Sequence, residues 1–247
     1  MTPILRTERL RRSFGSLVVT NDVDLALQPG ERHVVIGPNG AGKTSLVNQL
    51  GGQLAPSSGR IFLKGQDVTG SPPERICALG LARTFQKNNL FRNLSAVENV
   101  RLAVQARHGR PWNPFAQVRD LGALRHRAEE VLASVHLTRD VHCPVHALSY
   151  GEQRQLEIAV ALASDPDVLL LDEPTSGMSP AETRRMIGLI ADLPRSLTLL
   201  MIEHDMEVVF SIADRITVLH YGEVLATDTP EGLRRNQRVH DVYLGRH

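Results

Sequence analysis

The sequence has 247 residues, of which 42% are hydrophobic and 22% charged, so it is long enough for a substantial core and unlike a disordered or collagen-like chain. The 28 Lys and Arg residues nearly balance the 27 Asp and Glu residues, so the chain lacks the basic excess of most duplex-binding proteins. Its two cysteines, Cys77 and Cys143, cannot form a disulfide framework. The N-terminus has no signal-peptide pattern, and no apolar run reaches the roughly 18 to 20 residues of a membrane span. We therefore expect neither a nucleic-acid partner nor a membrane-spanning segment.

Short apolar runs predict strands along most of the chain. They lie near residues 4–10, 23–27, 33–36, 60–63, 168–171, 197–202, 215–220 and 224–226. Between the later strands, apolar residues three and four apart predict helices at about 180–193 and 205–213. This alternation predicts an α/β fold with a mainly parallel sheet, and the β-rich first third predicts a small antiparallel β layer.

The middle of the chain has a different, helical pattern. Helices are predicted at 125–137 and 152–163, whereas Pro111, Trp112 and Pro114 indicate a loop. We predict a single domain over residues 1–247. Within it, a helical subdomain of residues 87–163 is inserted into a core lobe of 1–86 and 164–247.

A glycine-rich octapeptide follows the predicted strand 33–36 and opens a helix. It has the pattern G-x-x-x-x-G-K-T, in which successive backbone N–H groups and the helix N-terminus point at phosphate oxygens. Lys43 can bind the β and γ phosphates, and the Thr44 hydroxyl can bind Mg²⁺. The pattern predicts a P-loop NTPase. The predicted nucleotide-binding residues are Gly37, Pro38, Asn39, Gly40, Ala41, Gly42, Lys43, Thr44 and Ser45.

Two acidic residues follow the buried apolar run 168–171. The carboxyl ends of parallel strands are where α/β sheets bind ligands. Asp172 can therefore hold the metal shell, and Glu173 can polarise an attacking water. The alternative is that one of these acids only caps the following turn.

Further motifs, in order along the chain, resemble those of ABC ATPases. Leu148-Ser149-Tyr150-Gly151-Glu152 resembles the signature usually written LSGGQ, and Ser176-Gly177-Met178-Ser179 occupies the D-loop position. Gln86 matches the Q-loop, His204 the switch histidine, and Phe14 the aromatic residue that stacks on adenine. The resemblance runs from about residue 4 to the C-terminus and implies ATP and Mg²⁺ as cofactors. The alternatives are that Phe14 and His204 have only a structural role in packing and that Gln86 is an ordinary surface residue.

The resemblance also implies a shared catalytic site. ABC ATPase domains dimerise head to tail, so Ser149 and Gly151 of one chain would contact the γ-phosphate bound to the other. Glu173 would orient water, His204 would hold the γ-phosphate and that water, and Gln86 would sense the metal.

Two positions depart from the common pattern of the family. In the signature, Tyr150 and Glu152 replace Gly and Gln, although the phosphate-facing serine and glycine remain. Ser179 stands where many relatives carry a D-loop Asp, which puts in doubt an acid-mediated contact across the dimer.

Finer stretches resemble the ATPases of bacterial branched-chain amino acid uptake systems. They lie at residues 83–86, 90–92, 148–151, 203–206 and 242–245, with a Pro-containing loop near 106–118. Urea-uptake ATPases look nearly the same. Lipopolysaccharide-export ATPases share a similar tail but generally lack the combination of the stretches at 83–86 and 203–206. This resemblance implies an importer ATPase at the cytoplasmic face of the cell membrane.

The implied partners are a second ABC ATPase subunit, identical or different, two membrane permease subunits and, indirectly, a solute-binding protein. A soluble ABC ATPase acting on DNA or ribosomes is the alternative class. Its members carry a long coiled-coil insertion or fuse two ATPase domains, and this chain has one phosphate loop and no sustained heptads.

Overall fold

The computed structural model describes residues 2–84, 90–108, 114–137 and 140–239, with backbone alone for 108 and 114–121. Gln86 of the predicted Q-loop, Pro111, Trp112 and the tail 242–245 lie outside these residues. The chain divides into two compact units. The first unit comprises residues 1–81, 167–173 and 194–247, and the second comprises 82–166 and 174–193. The predicted helical subdomain, 87–163, falls within the second unit, which also contains 174–193.

Ten strands and nine helices are present in the described residues. In chain order, the strands are β1 Leu5–Phe14, β2 Leu17–Leu27, β3 Arg32–Ile36, β4 Ser58–Leu63, β5 Gln66–Asp67, β6 Leu81–Arg83, β7 Val168–Asp172, β8 Thr198–Ile202, β9 Arg215–His220 and β10 Glu223–Asp228. The helices are α1 Lys43–Leu50, α2 Pro73–Ala78, α3 Ala96–His108, α4 Pro114–Ser134, α5 Tyr150–Leu162, α6 Pro180–Asp192, α7 Met206–Ile212, α8 Pro230–Arg234 and α9 Gln237–Val239, with a 3-10 turn at Val145–Ala147. None of the described helices is long and apolar enough to cross a membrane.

An antiparallel sheet of order β2-β1-β4-β5 forms one layer of the first unit. Val23, Leu25 and Leu27 of β2 are buried, whereas Asp24 and Ala26 between them are exposed. This period of two buries one face of the sheet and leaves the other in water. The predicted antiparallel layer is therefore present.

The other sheet contains, in the first unit, strands in the order β10-β9-β3-β8-β7. The Val168 N–H of β7 donates to the carbonyl of Gly80, which directly precedes β6. β3 pairs in parallel with both β8 and β9, β7 pairs in parallel with β8, and β10 alone of these five is antiparallel to its neighbour. β3, β7 and β8 are buried along their whole length, as expected for strands covered on both faces. Because they are parallel, their carboxyl ends meet at one edge of the sheet.

An apolar cluster joins buried side chains of the two sheets. It contains Leu10 and Leu27 of the antiparallel sheet, Leu46 of α1, and Leu170 and Leu200 of the parallel sheet. α1 follows directly from the glycine-rich loop, so burial of its apolar face fixes the loop above the end of β3.

The second unit consists mainly of α3, α4, α5 and α6, in which α3 packs against α4 and α5. The helix predicted at 152–163 is α5. The helix predicted at 125–137 begins earlier, and the assignment of Pro114 to a loop was wrong, because α4 starts at that residue. Proline suits the first turn of a helix, since its missing N–H has no intrahelical partner there.

Candidate nucleotide site

The glycine-rich loop connects β3 to α1 in a conformation that needs glycine. Gly40 and Gly42 have φ angles of 79° and 98°, which residues with a side chain rarely adopt. A Cβ atom on Gly42 would lie 2.1 Å from the carbonyl oxygen of Val19. The carbonyl of Ala41 accepts a hydrogen bond from Gly222 N–H at 3.0 Å, which ties the loop to the β9–β10 turn. The fold thus holds backbone N–H groups in a curled cradle at a helix N-terminus.

Lys43 lies at the first position of α1 with its side chain folded back over the loop. Its Nζ donates to the carbonyls of Gly37 at 2.7 Å and Pro38 at 3.0 Å, and the residue is only 8% exposed. Burial lowers the pKa of Lys43, while the negative charges of Glu173 and Asp172 act to raise it. The ammonium group is therefore held at the loop by acceptors that phosphate oxygens can replace.

The two acidic residues predicted to bind the metal and to polarise the water lie at the carboxyl end of β7. Asp172 is its last residue and is 2% exposed. Glu173 follows with a φ of 48°, and its N–H donates to the carbonyl of Ile202 on β8 at 3.0 Å. This left-handed turn takes the chain out of the strand at the edge where Asp172 ends it.

His204 is the second residue after the neighbouring strand, β8. Its Nδ1 lies 3.9 Å from Oε1 of Glu173 and 3.8 Å from Oε2 of Glu203. The Glu203 side chain is fully buried, and its Oε2 accepts the backbone N–H of His204 at 2.9 Å. Asp205 then caps α7 by accepting the N–H of Glu207. Glu203 thus fixes the turn that presents His204, a role that the sequence analysis missed although Glu203 adjoins the histidine.

Phe14 ends β1 with its ring 49% exposed, which contradicts a simple core role. The guanidinium of Arg12 lies 4.5 Å from the ring centroid. Arg12 therefore packs on the Phe14 ring, and the exposed part of the ring is open to stacking by a planar ligand.

The signature residues lie in the second unit, at the start of α5. Ser149 caps the helix: its Oγ accepts the N–H of Glu152 at 3.3 Å, and its own N–H donates to Glu152 Oε2 at 2.7 Å. The unusual Glu152 thus completes a reciprocal capping box. Tyr150 is the other residue that differs from the common family signature. Its hydroxyl donates to the carbonyl of Ser176 at 3.1 Å and accepts from Nη2 of Arg154 at 2.8 Å.

Residues 20–176 match the family model of ABC transporters. The chain belongs to the ABC transporter family. It is 39% identical over 251 residues to the high-affinity branched-chain amino acid transport ATP-binding protein LivG of Escherichia coli strain K12, an alignment that covers 98% of each chain. It is 34% identical to the lipopolysaccharide export system ATP-binding protein LptB of Acidithiobacillus ferridurans, over 99% of this chain and 98% of that protein.

The fold is also that of a solved ABC cassette. The structure titled as the ADP conformation of MJ1267, an ATP-binding cassette of an ABC transporter, superposes with a TM-score of 0.85 at 25% identity, over 99% of this chain and 100% of that one. The predicted P-loop α/β fold and the prediction of an ABC-type ATPase are confirmed.

The residues of this ABC ATPase fit an ATP phosphate chain with its metal. The loop is a cradle that a Cβ on Gly42 would fill, and a buried ammonium lies beside it. Within the described residues, no group of three or more His, Cys, Asp and Glu side chains could hold a metal alone. Mg²⁺ is usually bound by one or two protein oxygens together with phosphates and waters. The exposed Thr44 hydroxyl and the Asp172 carboxylate are the protein oxygens expected to serve.

Proposed function

We propose that this ABC ATPase binds ATP and Mg²⁺ at the glycine-rich loop and hydrolyses ATP to drive the uptake of branched-chain amino acids. The observation that carries the ATP site is the convergence of three strand ends in the first unit. The loop with Lys43 follows β3, Asp172 and Glu173 end β7, and His204 follows β8.

Each group has a role that its position supports. Residues 37–45 would bind the phosphates, with Lys43 exchanging its two carbonyl acceptors for phosphate oxygens. Thr44 and Asp172, together with Gln86, would hold Mg²⁺, which neutralises charge on the β and γ phosphates. The 3.9 Å between Glu173 and His204 exceeds a hydrogen bond, so both side chains can face one water and the γ-phosphate.

We propose further that the working site is shared by two ABC ATPase chains, either two copies of this one or this chain with a sister subunit. Ser149 and Gly151 of one chain would contact the γ-phosphate on the loop of the other. Ser149 supports this role because it is exposed at the N-terminus of a 13-residue helix, where anions are favoured. The adenine would stack on Phe14.

The transported solute and the membrane partners are inferred from the relatives. LivG is named for branched-chain amino acid transport, and its identity to this chain exceeds that of the lipopolysaccharide-export protein LptB. We therefore propose two membrane permease subunits, a solute-binding protein outside the membrane and a peripheral position at its cytoplasmic face. Urea or another small solute is the second candidate, since urea-uptake ATPases resemble the same stretches.

Affinity purification of the tagged chain from membranes of its native host tests this proposal. Two polytopic membrane proteins are expected to co-purify. After reconstitution with their solute-binding protein, they should take up labelled leucine in an ATP-dependent manner. Lys43→Ala is the matched inactive control. Capture of ribosomes or DNA instead would contradict transport, and uptake of urea but not leucine would contradict the amino acid.

A further inference from the structure

The carboxylate of Glu182 joins the N-termini of two helices in the second unit. Glu182 is the third residue of α6, and its Oε2 accepts from Ser179 Oγ at 2.6 Å and from Ser179 N–H at 3.0 Å. The same carboxylate also lies against Gly151 in the first turn of α5, near enough to its backbone N–H for that group to lower the pKa of Glu182. A Cβ atom on Gly151 would lie only 2.9 Å from Glu182 Oε1. One side chain thus caps its own helix and places a negative charge at the N-terminus of the signature helix.

Glu182 brings a negative charge to this place. Hydrogen bonds from the Ser179 hydroxyl and then from its N–H lower the pKa of Glu182 more than burial raises it, and the nearby Gly151 N–H and the positive charge of Arg185 lower it further. The group is therefore an anion at neutral pH. It lies beside Gly151, whose N–H the proposed function assigns to a γ-phosphate.

We propose that Glu182 is an internal substitute for the γ-phosphate at Gly151, and that the nucleotide carried by the second chain must displace it. This inference rests on the proposed function, in which Gly151 receives that γ-phosphate. The carboxylate and a γ-phosphate would lie at the same helix terminus, where two anions repel each other. Glu182 therefore opposes closure of the ATP-bound dimer and favours its opening once the γ-phosphate has left.

The surroundings of Glu182 allow the exchange to be reversible. Glu182 can keep Ser179 as a hydrogen-bond partner when its carboxylate moves away from Gly151. Arg185, one helical turn further along α6, is placed to attract the displaced carboxylate. Both residues line a cavity of about 540 Å³ together with Ser149 and Gly151, which gives the side chain room to move.

The expected effect follows from the strength of an anion at a helix N-terminus. Such a contact changes an equilibrium by about two- to fivefold. A symmetric dimer contains two of these contacts, so their combined removal should strengthen ATP-dependent dimerisation by about tenfold.

The test uses the full chain with Glu173→Gln, which is expected to bind ATP without hydrolysing it. Sedimentation with Mg-ATP measures the dimer dissociation constant, for this chain alone and with any ABC ATPase that co-purifies. Adding Glu182→Gln, which keeps an acceptor for Ser179 but removes the charge, should lower that constant about tenfold. Asp192→Asn is the control, because it removes the same charge from the other end of α6 beside the same cavity.

The outcomes distinguish a failure of this inference from a failure of the proposed function on which it rests. If the Glu173→Gln parent dimerises with ATP but Glu182→Gln dimerises equally or more weakly, the role of Glu182 is wrong and the shared site stands. If Asp192→Asn strengthens the dimer equally, the effect is one of overall charge, which also overturns the inference. A parent that fails to dimerise in every form overturns both ideas. Glu182→Ala serves as a second variant, and thermal melting without ATP verifies that each protein is folded.

Discussion

Oε1 of Glu173 lies 3.9 Å from Nδ1 of His204, although 30 residues separate them in the chain. The two side chains follow neighbouring parallel strands, β7 and β8, and the Glu173 N–H is bonded to the Ile202 carbonyl on β8. The sheet, rather than a flexible loop, therefore sets the distance between the proposed water-polarising group and the proposed γ-phosphate contact.

Glu173→Gln should nearly abolish ATP hydrolysis while ATP binding is retained. The amide keeps the size of the side chain but cannot accept a proton, and loss of a general base typically lowers turnover by about 10²- to 10⁴-fold. Phosphate release and nucleotide titration measure the two effects separately. Glu207→Gln, which changes an exposed acid in the first turn of α7, should leave turnover within about twofold as a surface control. Normal hydrolysis by the Glu173 variant would show that another group polarises the water.

Lys43→Ala should weaken ATP binding by at least about tenfold, since a charge-assisted hydrogen bond contributes about 1.5–3 kcal/mol. The buried ammonium now bonded to Gly37 and Pro38 would be lost from the phosphate site. Isothermal titration with ATP measures the change. Lys64→Ala removes an exposed lysine paired with Asp167 in the same unit and is the matched control. Equal ATP affinity in both variants would contradict the assignment of the phosphate loop.

Gly42→Ala should destabilise the first unit and impair ATP binding together. The new Cβ would meet the Val19 carbonyl at 2.1 Å, and φ is 98°. Gly65 has a φ of 78° but nothing within 4 Å of a Cβ, so Gly65→Ala adds only the backbone strain of about 1–2 kcal/mol. Urea unfolding should therefore show a larger loss of stability for the Gly42 variant. Equal losses would mean that the loop moves to accept the methyl group.

The positions of the motifs could be predicted because each depends on a local pattern. A glycine-rich turn between a strand and a helix, and an acidic pair after a run of buried residues, carry their signals within a few residues. The contacts of Glu203 with the His204 turn and of Glu182 with Gly151 could not be predicted in this way. Glu182 and Gly151 are 31 residues apart, and which backbone N–H a carboxylate reaches depends on how α5 and α6 pack.

Tyr150→Phe should lower stability by about 1 kcal/mol and reduce turnover more than ATP affinity. The hydroxyl bonds both the Ser176 carbonyl and Arg154, so it connects the signature helix to the segment that begins the D-loop. Phenylalanine keeps the ring but breaks that connection. Tyr221→Phe, at a side chain that is 81% exposed, is the matched control. Turnover and stability equal to the parent protein would show that the Tyr150 hydroxyl has no positioning role.

Glu31→Gln should remove part of the acid sensitivity of the fold. Burial raises the pKa of Glu31, but hydrogen bonds from His33 and the Gln28 N–H lower it more, leaving it below its usual value of 4.5. A carboxyl whose pKa is lower in the folded state stabilises the fold above about pH 4.5, and this contribution is lost as the pH falls through the folded value. The variant should therefore be less stable at pH 7 by about 2 kcal/mol, with the difference shrinking below pH 4.5. Urea unfolding from pH 7 to pH 3 measures this, with Glu74→Gln as an exposed control. A constant difference in stability across that range would contradict the linkage.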